Sequence, residues 1–288
     1  GAIACVALFA AGAALAQKSK DTVRIGLLDP IRVVDGLYDP KQETSFVTGS
    51  VFDNVIRYDD RAGQFKPLMA KSFKRVGDTI VEMEMRDDMR WHDGEKVTAD
   101  DVVALYDWIL DPKTQLRNKD NHVWLQSVEK IGANGVRFTA KAINTMDFWQ
   151  IANTDIYPKH IHAKLENRET FGQKPVGSGP YRVKSVDAGR RVVLERVADY
   201  WGRDLPVNVG RDNFDEIVLD WYRDDTVELE AFKAGEYDFR VENQALRWAV
   251  GYEGPALQRK LIVKALVPDH NPKGIQGFIL NTRKEKFQ

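Results

Sequence analysis

The sequence predicts an α/β fold built on a mixed sheet, and three observations carry that reading. Short alternating segments pair as hairpins about Gly77-Asp78 and Ala188-Gly189, which makes neighbouring strands antiparallel. Capped helical stretches at Thr98 and at Thr226 to Ala234 interrupt these strands, and the combination excludes a purely parallel sheet. The chain of 288 residues is 43% hydrophobic and 30% charged, a globular composition with room for about two domains of ~150 residues each.

The first element is not part of that fold. Gly1 to Ala16 carries no charge, is apolar or small from Ala2 to Leu15, and ends in Ala14-Leu15-Ala16. The run is short of the ~20 residues a bilayer span needs, so residues 1–16 read as the apolar core and cleavage site of an export signal. Ala2-Ile3-Ala4-Cys5 faintly resembles a lipoprotein box, but the apolar run continues beyond Cys5 and cleavage after Ala16 fits better. No initiator methionine or basic segment precedes the run, and Asn281 to Gln288 adds no closing helix or strand, so the sequence is expected to continue at both ends.

Thr22 to Leu28 alternates as a strand stopped by Asp29-Pro30, and residues 29–41 read as a loop. Ser45 to Tyr58 places Phe46, Val47, Val51, Val55 and Ile56 near one helical stripe, followed by a turn over Asp59 to Gly63. Lys74 to Met85 forms a hairpin with Val81, Met83 and Met85 on one face. Thr98 and Asp101 make a capping-box pair for a helix carrying Val102, Leu105, Tyr106, Ile109 and Leu110, and Asp111-Pro112 ends it. Strands follow at Gly135 to Ala142, Tyr181 to Val186, Arg191 to Arg196 and Phe214 to Tyr222. The helix Thr226 to Ala234 then ends at Gly235. Further strands are expected at Tyr237 to Val241, Val263 to Val267 and Gly277 to Leu280.

The chemistry-bearing residues argue for binding over catalysis. A formal charge of −1 excludes the basic surplus of a nucleic-acid module, and the single cysteine excludes an internal disulfide or thiolate metal cluster. His92-Asp93 reads first as a turn before the Thr98 helix and second as an acid–base pair. His160-x-His162 opens a helix, where i and i+2 diverge, so no metal is expected there. Gly177-Ser178-Gly179-Pro180-Tyr181 lacks the third glycine and following helix of a dinucleotide loop, and no nucleophile elbow occurs. Seven tryptophans supply core and, for some, the aromatic wall of a ligand cleft.

A series of motifs adds a specific resemblance. Pro67-Leu68-Met69-Ala70-Lys71-Ser72, Met85 to Gly94 with Trp91-His92-Asp93-Gly94, and Val97 to Val102 come first. Tyr157-Pro158-Lys159-His160, Gly177 to Tyr181, Asp199-Tyr200-Trp201-Gly202, Ala231 to Asp238 and Asn281-Thr282-Arg283 follow in order. Together they resemble the family 5 extracellular solute-binding proteins of ABC importers. The run Tyr200 to Tyr252 looks most like the Yej-type oligopeptide branch.

The resemblance implies a type 2 periplasmic binding protein fold, a two-lobed α/β clamp. Lobe one is expected over 17–265 with an extra subdomain at about 60–165, and a hinge strand over 266–288 would enter a truncated second lobe. It implies a periplasmic, monomeric, non-catalytic protein that passes oligopeptides to an ABC permease. Such a protein needs no cofactor or metal, binds no nucleic acid and meets the membrane only through the permease. Nickel complexes, opines, haem and saccharides are the alternative cargoes, and an exported hydrolase is the alternative from another class. Ligands of open α/β sheets sit beyond the carboxyl ends of the strands. That places Asp29, Asp35 and Tyr38 after the first strand, and Arg240, Glu242, Asn243 and Trp248 after the Tyr237 segment, as candidate ligand-binding residues. An extended peptide would be held largely by main-chain hydrogen bonds.

Overall fold

The computed structural model describes residues 21–39, 41–117, 119–162, 168–267 and 283–284. The export signal expected over 1–16, with Cys5, and the strand expected at Gly277 to Leu280 lie outside the described residues. Among the described residues no helix is long and apolar enough to cross a membrane.

Among the described residues, two four-stranded sheets and a small hairpin organise the fold. The first sheet has β1 (Thr22–Leu27), β8 (Tyr181–Asp187), β9 (Arg191–Arg196) and β10 (Glu216–Trp221), in the order β1-β10-β9-β8. β1 runs parallel to β10, while β10–β9 and β9–β8 are antiparallel, so the sheet is mixed as expected. Between β1 and β8 the chain first forms α1 (Gln42–Val51) and the hairpin β2 (Ile56–Asp59) with β3 (Gln64–Pro67). The second sheet follows, β4 (Ala70–Val76), β5 (Ile80–Met85), β6 (Leu125–Ile131) and β7 (Gly135–Ala140), antiparallel throughout in the order β4-β5-β7-β6. Helix α2 (Ala99–Leu110) packs on β6, with Val102, Leu105, Tyr106 and Ile109 buried beneath it. Its cap forms as the sequence indicates: Asp101 Oδ2 accepts from Thr98 N at 2.8 Å and from Thr98 Oγ1 at 3.0 Å. One continuous apolar cluster runs through both sheets, from Val34 and Phe52 to Phe138 and Leu219.

The helical stripe from Ser45 to Tyr58 is corrected: α1 ends at Val51, and Ile56 to Asp59 is strand β2. The cause is a close backbone approach. Gly179 N donates to Val51 O at 2.9 Å, and a Cβ built on Gly177 would stand 1.9 Å from that same oxygen. The carbonyl that would continue the helix is taken, and the backbone leaves it through Phe52 in an extended conformation. Strand β6 went unpredicted because a bulge between Leu125 and Ser127 spaces its inward side chains Leu125 and Val128 three apart.

The strand expected at Tyr237 to Val241 reduces to a single parallel bridge between Ile25 and Phe239. Asp238 explains the interruption, because its Oδ2 accepts from Arg24 N at 2.9 Å while its own N donates to Arg24 O at 2.8 Å. Side chain replaces ladder at that step. Val263 to Val267 is not a strand either, and Val263 and Leu266 stand 77% and 85% exposed. The remaining α-helices among the described residues are α3 (Thr145–Ala152), α4 (Lys159–His162), α5 (Arg168–Gln173), α6 (Asp225–Ala234) and α7 (Pro255–Gln258). Gly235 ends α6 at φ 80, a left-handed position suited to glycine.

Candidate functional site

The face beyond the carboxyl ends of β1 and β10 is built by two segments, the loop after β1 and the stretch from Tyr237 to Tyr252. Trp221 Nε1 donates to Leu28 O at 2.5 Å, tying the ends of the two parallel strands together. Asp35 is fully buried in the loop that follows. Its Oδ1 accepts from Leu37 N (3.1 Å), Tyr38 N (3.2 Å) and Tyr157 Oη (3.1 Å), a turn that lifts Tyr38 into solvent. Asp29 is exposed. This loop is pinned from below by Val34 N donating to Gly172 O at 3.0 Å; a Cβ on Gly172 would stand 2.1 Å from Val33 Cγ1.

Tyr237 lies over β1, where a Cβ on Gly26 would come within 2.8 Å of its ring. With Asp238 latched to Arg24, the next side chain inward is Arg240, only 5% exposed, at the centre of a dense charge network. Its guanidinium pairs with Glu228, donates to Asp225 Oδ1 at 2.5 Å and to Tyr252 Oη at 3.0 Å, and lies 3.6 Å from Glu242 Oε2. Tyr252 Oη in turn donates to Glu242 Oε2 at 2.7 Å, while Arg247 pairs with Asp225. Burial disfavours the Glu242 carboxylate, but Gln244 N, Tyr252, Arg240 and Arg247 outweigh it and hold its pKa below the usual range. Burial and the neighbouring Glu242 push the Tyr252 hydroxyl up to about 12. Such a connected, fully partnered network fixes the geometry of residues 237–252.

The structure therefore brings Arg240 and Glu242 into one network and leaves Asp35 as the anchor of a turn. Asp29, Tyr38 and Asn243 present exposed side chains. Trp248 is half-buried, with Lys264 Nζ at 4.9 Å from its ring centroid and bonded to its carbonyl. Sequence reasoning missed Asp225, Glu228 and Tyr252, whose roles depend on a fold-back from α6. It also missed Asp53, a carboxylate inside an apolar run and hence visible in principle. Asp53 is fully buried and pushed up to about 7 by burial, against the opposing pull of Arg57, Tyr200 and Ser178.

His92, His160 and His162 have structural partners. His92 Nδ1 accepts from Gly177 N at 3.3 Å, which leaves its Nε2–H to donate to Gly179 O at 2.9 Å. Both ring nitrogens are occupied by backbone, and burial lowers its pKa, so the ring stays neutral as a strut under the Gly177–Tyr181 turn. His160 Nε2 lies 2.7 Å from Asp93 Oδ2, and His162 stacks on Tyr157 at 5.5 Å. Among the described residues no group of three or more His, Cys, Asp or Glu could hold a metal ion.

Comparison with known proteins agrees with this architecture. Residues 64–288 match the model of the bacterial extracellular solute-binding proteins, family 5 Middle. The peptidoglycan-binding protein YepA of Agrobacterium fabrum is 36% identical over 244 residues, 81% of this chain and 39% of that one. YejA of the same organism, named for peptide binding, is 37% identical over 214 residues, 71% of this chain and 34% of that one. The chain thus spans little more than a third of the length of these relatives. Among solved structures, the ABC transporter substrate-binding protein CtaP of Listeria monocytogenes superposes with a TM-score of 0.64 at 28% identity. It covers 75% of this chain and 43% of its own. The mixed sheet belongs to the type 2 periplasmic binding protein fold, and the chain is a member of the bacterial extracellular solute-binding proteins, family 5.

Proposed function

We propose that the chain forms lobe one, with its extra subdomain, of the periplasmic solute-binding component of an ABC importer. In this reading the protein captures oligopeptides and delivers them to the inner-membrane permease as a monomer, after export directed by residues 1–16. The observation that carries the reading is the family match over 64–288, on a chain whose relatives include proteins named for peptide and peptidoglycan binding.

The surface supports it. Phe239, Val241, Leu246, Val250, Val263 and Leu266 are exposed apolar side chains within one stretch of sequence, which a facing lobe would cover. A second lobe closing over this side would also supply the opposite wall of a cleft, with Asp29, Tyr38, Asn243 and Trp248 on the lobe-one wall. The Arg240–Glu242 network would act from beneath, holding that wall in place. Main-chain recognition of an extended peptide suits a wall of loops rather than a pocket of fixed charges.

The occupied ring nitrogens of His92 speak against the alternative of an exported hydrolase. Thermal shift assays on the full-length protein, with oligopeptides, nickel–histidine, opines, haem and oligosaccharides in parallel, test the cargo. Stabilisation by oligopeptides alone is the expected result, and stabilisation only by another class would replace the proposed cargo.

A further inference from the structure

We propose that the protein has a second ligand site, a cleft between the end of α1 and the 200–213 loop that takes a neutral saccharide. The cleft holds about 510 Å³ and adjoins a cavity of about 300 Å³ that shares Pro180, Arg211 and Asp212. Its lining includes none of the residues assigned above to the lobe-one wall, so it stands apart from the oligopeptide reading.

One wall is aromatic and rigid. The rings of Tyr58 and Trp149 lie 4.4 Å apart at a tilt of 38°, and Phe65 braces Trp149 edge-on at 5.6 Å. The opposite wall carries guanidinium groups already set in place. Arg57 Nη1 donates to Asn208 Oδ1 at 2.5 Å, and Arg211 donates to Asp60 Oδ1 at 3.0 Å and to Val207 O at 3.2 Å. Each guanidinium has five N–H donors, so both retain donors beyond these bonds.

Asp212 is the unusual member. It adopts φ 55, a left-handed conformation that costs a non-glycine residue of order 1 kcal/mol or more. Nothing among the described residues donates a hydrogen bond to its carboxylate, although burial raises its pKa against the pull of Arg57 and Arg211. A left-handed turn that presents to a cleft a carboxylate with no donor among the described residues supplies the acceptor for the proposed ligand.

The chemistry selects the class. Arg57 and Arg211 balance Asp60 and Asp212, so the cleft favours neither a net anion nor a net cation. A free carboxylate accepts from hydroxyls, spare guanidinium N–H groups donate to ring and hydroxyl oxygens, and an aromatic wall covers the apolar face of a pyranose. The volume lies within the range of small-molecule sites.

The test is saturation-transfer NMR on the protein with N-acetylglucosamine, glucose and maltose, using glycerol and diglycine as controls, in wild type, Asp212→Asn and Asp212→Gly. At least one sugar should bind the wild type and lose about tenfold or more in both variants, the worth of one charge-assisted hydrogen bond. Asp212→Gly should melt at or above the wild-type temperature, because glycine takes φ 55 without strain. Absence of sugar binding, unchanged binding in both variants, or displacement of the sugar by diglycine would overturn the proposal. A fall in melting temperature for Asp212→Gly would do so as well, since it would make Asp212 a structural residue. Oligopeptide binding by the full-length protein should be the same in all three forms, which separates this site from the proposed peptide face.

Discussion

Tyr200 Oη donates a 2.9 Å hydrogen bond to Asp53 Oδ1 across 147 positions of sequence. Ser178 Oγ donates to Asp53 Oδ2 at 3.3 Å, and Arg57 approaches Oδ1 at 3.7 Å. Two of the motifs that carried the family resemblance, Gly177 to Tyr181 and Asp199 to Gly202, thus meet on one buried carboxyl at the end of α1. The motifs are joints, and the surfaces between them are free to carry the ligand chemistry.

That joint predicts a pH dependence. Asp53 is raised from 3.8 to about 7 by burial, so the native state holds its proton more tightly than the unfolded chain. The group's contribution is complete below about pH 4 and is lost as pH rises through about 7. Asp155, raised to about 6, acts in the same direction. Wild type should lose stability relative to Asp53→Asn between pH 5.5 and 8, while His92 and His122, whose pKa values burial lowers, add stability over the same range in both proteins. Equal slopes in the two proteins would contradict the assignment.

Gly179→Ala should be severely destabilising. An added Cβ would stand 2.7 Å from Ser50 O and 2.8 Å from Val51 O, both backbone atoms of a helix that cannot shift alone. A loss of about 3 kcal/mol or more is expected in urea unfolding, the range for forced overpacking. A loss below about 1 kcal/mol would mean that α1 and the turn are not tightly apposed.

Replacing Arg240 by methionine removes the cation shared by Asp225, Glu228 and Glu242. A buried charge network broken on one side costs about 3–5 kcal/mol. Without the guanidinium Asp225 and Glu242 lose a partner that holds their pKa values down, so protonation relieves the variant as pH falls, and its deficit should narrow between pH 7 and 4.5. A deficit independent of pH would indicate lost packing in place of lost charge.

Asp101 serves two elements at once. Oδ2 caps α2, and Oδ1 accepts from Lys159 N at 2.9 Å, which docks α4. Asp101→Ala should cost about 2 kcal/mol, the upper end for an N-cap residue. Hydrogen exchange should quicken at both Thr98 and Lys159; quickening at Thr98 alone would reduce Asp101 to a simple cap.

Much of the fold was legible where a local signal coincided with the tertiary one. The Gly77-Asp78 and Ala188-Gly189 hairpins, the Thr98 cap and Gly235 at the end of α6 each depend on neighbours in sequence. The errors arose where a distant group overrode the pattern. Val51 is taken by Gly179, β6 loses its alternation to a bulge, and Asp238 breaks the ladder at Arg24. The same limit applied to the candidate site. Arg240 and Glu242 were recognisable as charged residues beyond a strand position. Their burial among Asp225, Glu228 and Tyr252 required the fold-back of α6. Asp35 looked like a loop carboxylate because its partner Tyr157 is 122 positions away.

Isothermal titration of oligopeptides into the full-length protein, with peptide mass followed afterwards, tests the central claim most directly. Saturable one-to-one binding with the peptide recovered intact is the predicted result. No binding by any oligopeptide, or cleavage of the peptide that disappears in a His92→Ala variant, would contradict it.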